Sequence, residues 1–504
     1  MKRVFCMFTL MLVTPMICST ASARQVNQSK SKDSGSEASV AETDSSRNMA
    51  SEVETLKRRI DELEGQNRAM LQLLVELKSR LDEPARLANA SNARADAKDS
   101  TAKKVEGAPA PPSDSAEAAR QSKTATNNGS PQWSELISEG NKFKMYGFLR
   151  LDLDIDSQRP NNAQIPLFIT SEDPRIGKPD AGSFSMHPRL TRFGVDYTGP
   201  QVRGLRDAKL AGKLELDFEN GGTESRQIIR IRHAYLQMKW GQFSILGGQT
   251  WDIVSPLYPT VNNDTLMWNA GNVGDRRPQF RVAYEPKIGR GQWSLVGGVG
   301  LTGAIDSQDL DANGFRDGEE SGRPDAQARV GYSHPLWVKD QSASIGASGF
   351  YGWLNTARPV TGASRTSFRT QLANIDYTLP LASRLSLRGE GWWGRNMGDT
   401  RGGAGQGINL TNGREIRGRG GWSEVVVKLS RYYSITPGFT TDDPVDEDIP
   451  VGGRTRNQAF YIGNRVTPGG NFLIGFDYLR WRTEFKGFLR GLDHRVNIFF
   501  QYSY

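Results

Sequence analysis

Three groups of residues in this sequence have types and spacings that could do chemistry. The first is "DLDANGFRDGEE", in which Asp309, Asp311, Asn313, Gly314, Asp317 and Glu320 fit D-x-[DN]-x-[DN]-G with a Glu at the twelfth position. Oxygen donors at that spacing suit a hard divalent cation, with glycine at the sharp turn. The pattern raises the expectation of a structural calcium ion. Position eight, however, is Arg316 rather than an apolar anchor, and no flanking helices are evident. An acidic outer loop that matches by chance, or bridges divalent ions loosely beside lipopolysaccharide, is the competing reading. The second group is a recurrent set of charges at alternate positions: Arg150, Arg192, Lys209, Lys213, Arg281, Arg329 and Arg388, with Asp152, Asp154, Glu215 and Asp217. Cations around a narrow aqueous passage attract anions and raise their local concentration, and an arginine fork matches a carboxylate bidentately. The carboxylates are expected across the passage from the arginines, giving a transverse field. The third group lies in "DIVSPLYPTVNNDTLMWNAGNVGDRRPQ", which carries Asp252, Asp264, Arg276 and Arg277. No catalytic constellation accompanies them. His187, His233, His334 and His494 are scattered without metal-ligand spacing, and neither G-x-S-x-G nor H-E-x-x-H occurs. Enzymatic activity, a further cofactor and a nucleic-acid partner are not expected.

The elements that must carry these charges are strands. In "FKMYGFLRLDLDID", Phe143, Met145, Leu149, Leu151, Leu153 and Ile155 alternate with Lys144, Arg150, Asp152, Asp154 and Asp156. "KLAGKLELDFE", "PQFRVAYEP" and "RLSLRGEGWWG" repeat the alternation. A period of two places successive side chains on opposite faces of a strand. In a soluble sandwich the apolar face is a core; in a membrane barrel it meets lipid, and the charged face lines water. The barrel accounts for more. The strands run to ten or more residues, the length needed to span a bilayer. Short connections such as "TLPLASR" alternate with long Gly- and Asp-rich ones, as periplasmic turns alternate with outer loops. With 54 Gly and 46 aromatic residues, and no apolar run long enough for a spanning helix after the N-terminus, the composition fits. The fold expected is all-β: a transmembrane antiparallel barrel of about sixteen strands over 142–504, wide enough for an aqueous channel. "GQFSILGGQTWD" would be its fifth strand. The loop that follows, about Trp251 to Arg277, is expected to fold into the lumen as a constriction; a surface loop is the alternative. The net charge of +8 agrees with a basic lumen. In "RQIIRIRHAYLQMKW", Arg230 and Arg232 share parity with Ala234, Leu236 and Met238. Either a bulge changes the phase or these arginines lie beyond the membrane.

The N-terminal quarter reads differently. Lys2 and Arg3, an apolar stretch and Ala21-Ser22-Ala23 form a signal peptide over 1–23, which removes both cysteines, Cys6 and Cys18. Residues 24–50 are polar and read as disordered. Over 51–84, Val53, Leu56, Ile60, Leu63, Asn67, Met70, Leu74, Leu77 and Leu81 alternate spacings of three and four, the seam of a periplasmic α-helical coiled coil. A coiled coil needs partners, so an oligomer is expected. Asn67 at a seam position sets register, but the seam does not choose two strands or three. Residues 85–141, with "APAPPSDS", read as a flexible linker.

The barrel segments "YGFLRLDLDID", "RLTRFGVDYTGP", "RIRHAYLQMKWGQFSILGGQTWD" and the closing "FLIGFDYLRWRTEFKG" with "HRVNIFFQYSY" resemble the trimeric DcaP-like porins of Gram-negative outer membranes. The resemblance implies a sixteen-stranded homotrimer in outer-membrane lipid and lipopolysaccharide, with a periplasmic coiled-coil extension. It also implies passive uptake of small anions such as dicarboxylates. The family's lumen arginines would fall on Arg150, Arg192 and Arg281, and Tyr504 on the terminal aromatic read by the assembly machinery. The last strand is expected to close the barrel on "FKMYGFLRL". A second function remains open, in which the barrel is an anchor and the coiled coil tethers it to peptidoglycan.

Overall fold

The computed structural model describes residues 135–138, 141–219, 226–261, 265–360 and 365–504. The signal peptide, the coiled-coil seam and Asp264 lie outside the described residues. No described helix is long and apolar enough to cross a membrane; the crossing is made by strands.

Sixteen strands form the wall. They are β1 (Asn141–Asp156), β2 (Ser183–His187 continued by Arg192–Val202), β3 (Ala208–Glu219), β4 (Ile228–Trp240), β5 (Phe243–Trp251), β6 (Arg276–Tyr284), β7 (Gly291–Gly300) and β8 (Asp325–Pro335). The circuit continues through β9 (Ser342–Asn355), β10 (Ser367–Ala382), β11 (Leu385–Arg395), β12 (Arg417–Lys428), β13 (Tyr433–Pro444), β14 (Arg454–Gly469), β15 (Phe472–Phe485) and β16 (Phe488–Ser503). Each pairs antiparallel with the next, and β16 returns to β1. Closure leaves no backbone edge in lipid, where an unpaired N–H or C=O costs several kcal/mol. The β1–β16 seam runs from Phe148↔Ser503 to Asp156↔Arg495. The closing strand therefore lies five residues further along β1 than "FKMYGFLRL" suggests. The foot of β1 is covered instead by a short strand, Glu135–Ser138, paired with Asn141–Lys144. β-structure thus begins inside the segment read as linker.

The alternation sorts the faces. Along β1, Leu149, Leu151 and Ile155 are exposed on the outer wall, while Asp152, Asp154 and Asp156 are buried within. On β16, Val496, Ile498, Phe500 and Tyr502 face out, and Arg495, Asn497, Phe499 and Gln501 face in. Two departures matter. β2 breaks between its two segments, where Pro188 has no N–H for the ladder. On β4, the pairs Glu215↔His233 and Leu216↔Ile231 leave Arg232 as an extra residue. This bulge changes the phase, so Arg230 and Arg232 both turn inward. It decides between the two sequence readings.

Two-residue turns (241–242, 383–384, 470–471) close one end. At the other, L1 (157–182), L3 (252–275), L4 (301–324), L6 (396–416) and L7 (445–453) are longer. L1 and L3 enter the barrel. Ile169 of L1 and Val261, Met267 and Ala270 of L3 pack with Ala459, Tyr461, Leu479 and Trp481 of β14 and β15. Val254 and Val273 pack with Phe350, Leu372, Trp392 and Met397. The main apolar core of the described residues is therefore the contact of the inserted loops with the inner wall.

Candidate functional site

L3 is held across the lumen by its backbone. Ile253 N–H donates to Gln327 Oε1 of β8 at 2.7 Å, and Ser348 and Asn374 of β9 and β10 donate to the Val254 carbonyl at 2.6 and 2.9 Å. Glu390 of β11 accepts from Ser255 Oγ at 2.5 Å and Leu257 N–H at 2.8 Å. Glu424 of β12 accepts from Thr260 N–H at 3.0 Å and Tyr461 Oη at 2.7 Å. Trp392 Nε1 donates to the Gly271 carbonyl at 2.7 Å, and Arg465 reaches the Thr260 carbonyl. The wall anchors come from β8–β14, and L6 and L1 add the Thr400, Arg401 and Pro166 carbonyls, which accept from Gly274, Asn269 and Thr265 at 2.8, 2.8 and 2.7 Å; the loop lines that side and leaves β2–β6 facing the passage.

The root of L3 is a buried ion cluster. Arg277, with no exposed side-chain surface, meets Asp252 at 2.5 Å, Asp399 of L6 at 2.9 Å and Asp325 of β8 at 3.0 Å. Asp252 and Arg277, named from sequence as constriction residues, are thus its internal clamp and touch no solute path. Arg276 differs: its guanidinium stacks over Trp251 at 4.4 Å and Trp268 at 5.8 Å. Trp251 in turn stacks on Tyr258 at 5.6 Å. Asp275 is shared by Arg276 and Arg401 at 3.4 and 2.8 Å. Burial works against ionising Asp275, but the two arginines hold its carboxyl below the usual range.

The uncovered wall is basic. Arg232 bonds Glu215 at 2.7 Å and Asp217 at 2.8 Å; Arg230 bonds Asp217 at 2.7 Å and Glu219 at 2.8 Å. Arg189 lies 3.8 Å from Glu219, and Arg192 lies 3.5 Å from Glu215. With Arg276 and Arg401 on Asp275, six arginines meet four carboxylates. Among the described residues, Arg276 Nη1 has no hydrogen-bond acceptor, and Arg192 Nε has only the Glu215 carboxylate at 3.5 Å. Lys213 joins through Asp196 at 2.6 Å and Tyr146 Oη at 2.9 Å. The far wall is matched differently: Arg329 pairs with Asp376 at 2.6 Å, Arg388 with Glu424 at 2.6 Å, and Arg465 with Asp477, while Glu390 has no arginine bonded to it.

The structure corrects where the carboxylates stand. Asp152 sits beside Arg150 at 2.7 Å, not across the passage. Asp154 pairs with Arg495 at 2.9 Å, and Glu215 and Asp217 lie among the arginines themselves. Opposite charges at i, i+2 on one strand face, or directly across a ladder, find each other first. Arg281 faces inward and donates to the Trp251 carbonyl at 2.5 Å and to Gln279 Oε1 at 3.1 Å. Lys209 is exposed at the foot of β3. Sequence reasoning missed Arg189, Arg401, Arg465 and the insertion of L1. An apolar run inside a long loop, Ile165-Pro166-Leu167-Phe168-Ile169, was the signal available for L1.

In L4, oxygens of Asp309, Asp311 and Asp317 lie within 4.8 Å of one another. Asp309 accepts from the Asn313 and Gly314 N–H groups at 3.0 and 2.9 Å. Gly314 takes φ +88°, which the turn requires. Asn313 Nδ2 donates to Glu320 Oε1 at 2.9 Å, so these two engage each other rather than joining the three aspartates.

No protein-family model matches the chain, and no curated protein matches it. Solved structures do. The outer membrane channel DcaP of Acinetobacter baumannii aligns over 74% of this chain and 100% of its own, with TM-score 0.58 and 16% identity. The anion-selective porin from Comamonas acidovorans aligns over 72% and 100%, with TM-score 0.45 and 11% identity. OmpT of Vibrio cholerae, in trimer form, aligns over 73% and 100%, with TM-score 0.44 and 12% identity. The first likeness agrees with the strand pairing on the fold: a closed, sixteen-stranded antiparallel barrel. A closed barrel with an apolar outer wall of this kind belongs in the outer membrane.

Proposed function

We propose that the chain is an outer-membrane porin that passes small hydrophilic solutes by diffusion and favours anions such as dicarboxylates. One observation carries the preference: on and beside the wall that L3 leaves uncovered, six arginines share four carboxylates. An anion arriving there meets a net positive field in a site of reduced dielectric. A dicarboxylate can fork two guanidiniums at once. The far wall, with its arginines matched one to one and Glu390 in addition, makes the field transverse. Arg150, Arg192, Lys209, Lys213, Arg281, Arg329 and Arg388 belong to this lining. The Trp251–Tyr258 stack gives a passing solute an apolar edge beside the arginines. The assembly is proposed as a homotrimer joined in the periplasm through the seam from Val53 to Leu81.

The test is planar-bilayer conductance of the purified oligomer under a salt gradient. A reversal potential of anionic sign, with succinate reducing chloride current, is expected. Absence of an open-channel current sinks the porin reading, and cation preference sinks the lumen assignment. The tether reading is separated by deleting 24–131: a porin keeps its conductance, and a tether loses cell-wall association.

A further inference from the structure

L4 and L6 meet at the outer end of the barrel, and their seam gathers oxygen atoms that have no donor. Asp399 of L6 accepts from the Gly303 and Ile305 N–H groups at 2.9 Å each, which shapes the turn that presents Asp306. Gln308 follows, its carbonyl held by the Asp317 N–H at 2.8 Å. On the L6 side, Ile416 brings Asn396 and Gly407 together. Its carbonyl accepts from the Asn396 N–H and its own N–H donates to the Gly407 carbonyl, both at 2.9 Å. A methyl group placed on Gly407 would lie 2.4 Å from Asn396 Oδ1 and 3.2 Å from Gln308 Nε2. One placed on Gly398 would lie 3.0 Å from Asp306 Oδ2 and 3.3 Å from the same Gln308 nitrogen. The two glycines thus leave a cradle around the Gln308 amide, with Asn396 on one side and Asp306 on the other.

Among the described residues, both Asp306 oxygens, Asn396 Oδ1 and Gln308 Oε1 are buried atoms without a hydrogen-bond donor. Asn396 has no exposed surface, and its Nδ2 donates to Thr370 Oγ1 at 3.2 Å, which turns the amide oxygen toward the cradle. The Gln308 N–H faces the Asp306 carboxyl, but not in hydrogen-bonding geometry. Buried acceptors are normally satisfied, and leaving one bare is costly. The local charge points the same way. Asp252, Asp325 and Asp399 share the single cation Arg277, and Asp275 takes up Arg276 and Arg401. Asp306 is a fifth carboxylate beside these three arginines, and none of the three bonds it.

We propose that this seam binds a hard divalent cation, calcium, which ties L4 to L6. Asp306 supplies a carboxylate and Asn396 its amide oxygen. A half-turn of the Gln308 amide exchanges its nitrogen for its oxygen and adds a further ligand. Water completes the shell of about six to eight oxygens that calcium takes. The donors are all oxygen, which suits calcium and not the softer metals held by thiolate or imidazole. With one carboxylate, the affinity belongs with weak extracellular sites, at a Kd of about 10⁻⁴–10⁻³ M. Asp399 serves both the Arg277 cluster and the L4 turn, so the ion also steadies the root of L3. The place is separate from Asp309, Asp311 and Asp317, beside which Asn313 and Glu320 bond each other. The inference rests on the two loops and not on the selectivity of the channel.

The test is hydrogen exchange of the full chain in detergent, stripped with a chelator and compared with and without calcium chloride at mildly alkaline pH. At calcium about tenfold above Kd, amides of both L4 and L6 are expected to exchange about tenfold more slowly. Asp306→Asn is expected to lose that slowing in both loops, whereas Asp309→Asn with Asp311→Asn keeps it. Wild type without slowing overturns the proposal, and so does slowing confined to one of the two loops. Slowing that Asp306→Asn retains, or that the Asp309→Asn, Asp311→Asn variant abolishes, overturns it as well, because the ion then sits elsewhere. If Asp306→Asn fails to insert, wild type decides alone. Asp306 takes up a proton at about pH 7, so calcium should lose its effect by about pH 5, and slowing undiminished there overturns the proposal.

Discussion

Arg277→Met removes the cation from a pocket that holds three carboxylates. At separations of 2.5, 2.9 and 3.0 Å, each contact carries about 6 kcal/mol of gross attraction at an effective dielectric of about 20. Desolvation of four buried charges takes back most of that sum. The consequence of the substitution is set instead by what it leaves behind, and stripping one partner from a buried pair costs about 3–5 kcal/mol. The cost falls at one place. Asp252 is the first residue of L3, Asp399 lies in L6, and Asp325 begins β8, so the barrel ladder beyond them keeps its hydrogen bonds. The root of L3 is therefore expected to open before the wall unfolds. The variant should insert into bilayers and resist SDS as wild type does, but its single-channel conductance should rise and flicker. Adding Asp252→Asn, Asp325→Asn and Asp399→Asn should quieten it, because four neutral groups need no counter-ion. An Arg277→Met channel with wild-type conductance and open-channel noise refutes the clamp.

Three further outcomes are expected. Arg230→Gln with Arg232→Gln levels the basic wall at four arginines and four carboxylates, so the anion-to-cation permeability ratio from reversal potentials should fall roughly severalfold; an unchanged ratio refutes the role of that wall. Asp306 in L4 is pushed up to about 7 by burial, with Asp399 adding to the effect. Its neutral form is thus favoured by the fold; that stability is complete below the unfolded value of about 4 and lost as pH rises toward 7. Hydrogen-exchange protection of L4 should fall over that window in wild type and stay level in Asp306→Asn, and parallel profiles count against it. Gly475→Ala would place a Cβ 1.7 Å from the Phe499 ring, an overpacking of about 1–3 kcal/mol; the melting temperature should drop and partly recover with Phe499→Leu, and a neutral Gly475→Ala would show that the ring is not confined there.

How far the sequence reaches can be judged strand by strand. Alternation in β1, β3 and β16 was legible because one face meets lipid or protein and the other meets water, so the period is written in residue type. The count of sixteen, the fifth strand and the length of L3 followed from the same signal. Arg232 was not legible, because a bulge shows itself only in the pairing with β3 and not in the parity of β4. The partners of the arginines were hidden for a related reason. Arg388 meets Glu424 and Arg329 meets Asp376 because their strands are neighbours or near neighbours at one register, and register is a property of two or more segments. The seam at Phe148–Asp156 was misplaced by five residues on the same account.

The two halves of the lumen solve one problem in different ways, and in the proposed function this gives the passage its sign. A long loop inside a barrel must satisfy its backbone donors somewhere. L3 does so on Glu390, Glu424 and Gln327, and Arg465 closes over its Thr260 carbonyl. The carboxylates that could have neutralised the channel are thereby committed to holding the loop, and the loop covers them. On the β2–β6 wall the carboxylates are bonded to arginines instead, and the loop held there, L1, is held by a cation: Arg189 donates to the Gln164 carbonyl at 2.7 Å. The wall's carboxylates Glu215, Asp217 and Glu219 are shared among Arg189, Arg192, Arg230 and Arg232, and Arg276 and Arg401 add their charge at the loop end around Asp275. Moving the anchors of L3 to uncharged side chains such as Gln327, which performs the same task at Ile253, would keep the constriction and free the far wall of its acids. The anion preference should then rise, since the basic wall would face a neutral one. A loop that constricts and a field that selects are in this sense one arrangement of carboxylates, seen from either side of the passage.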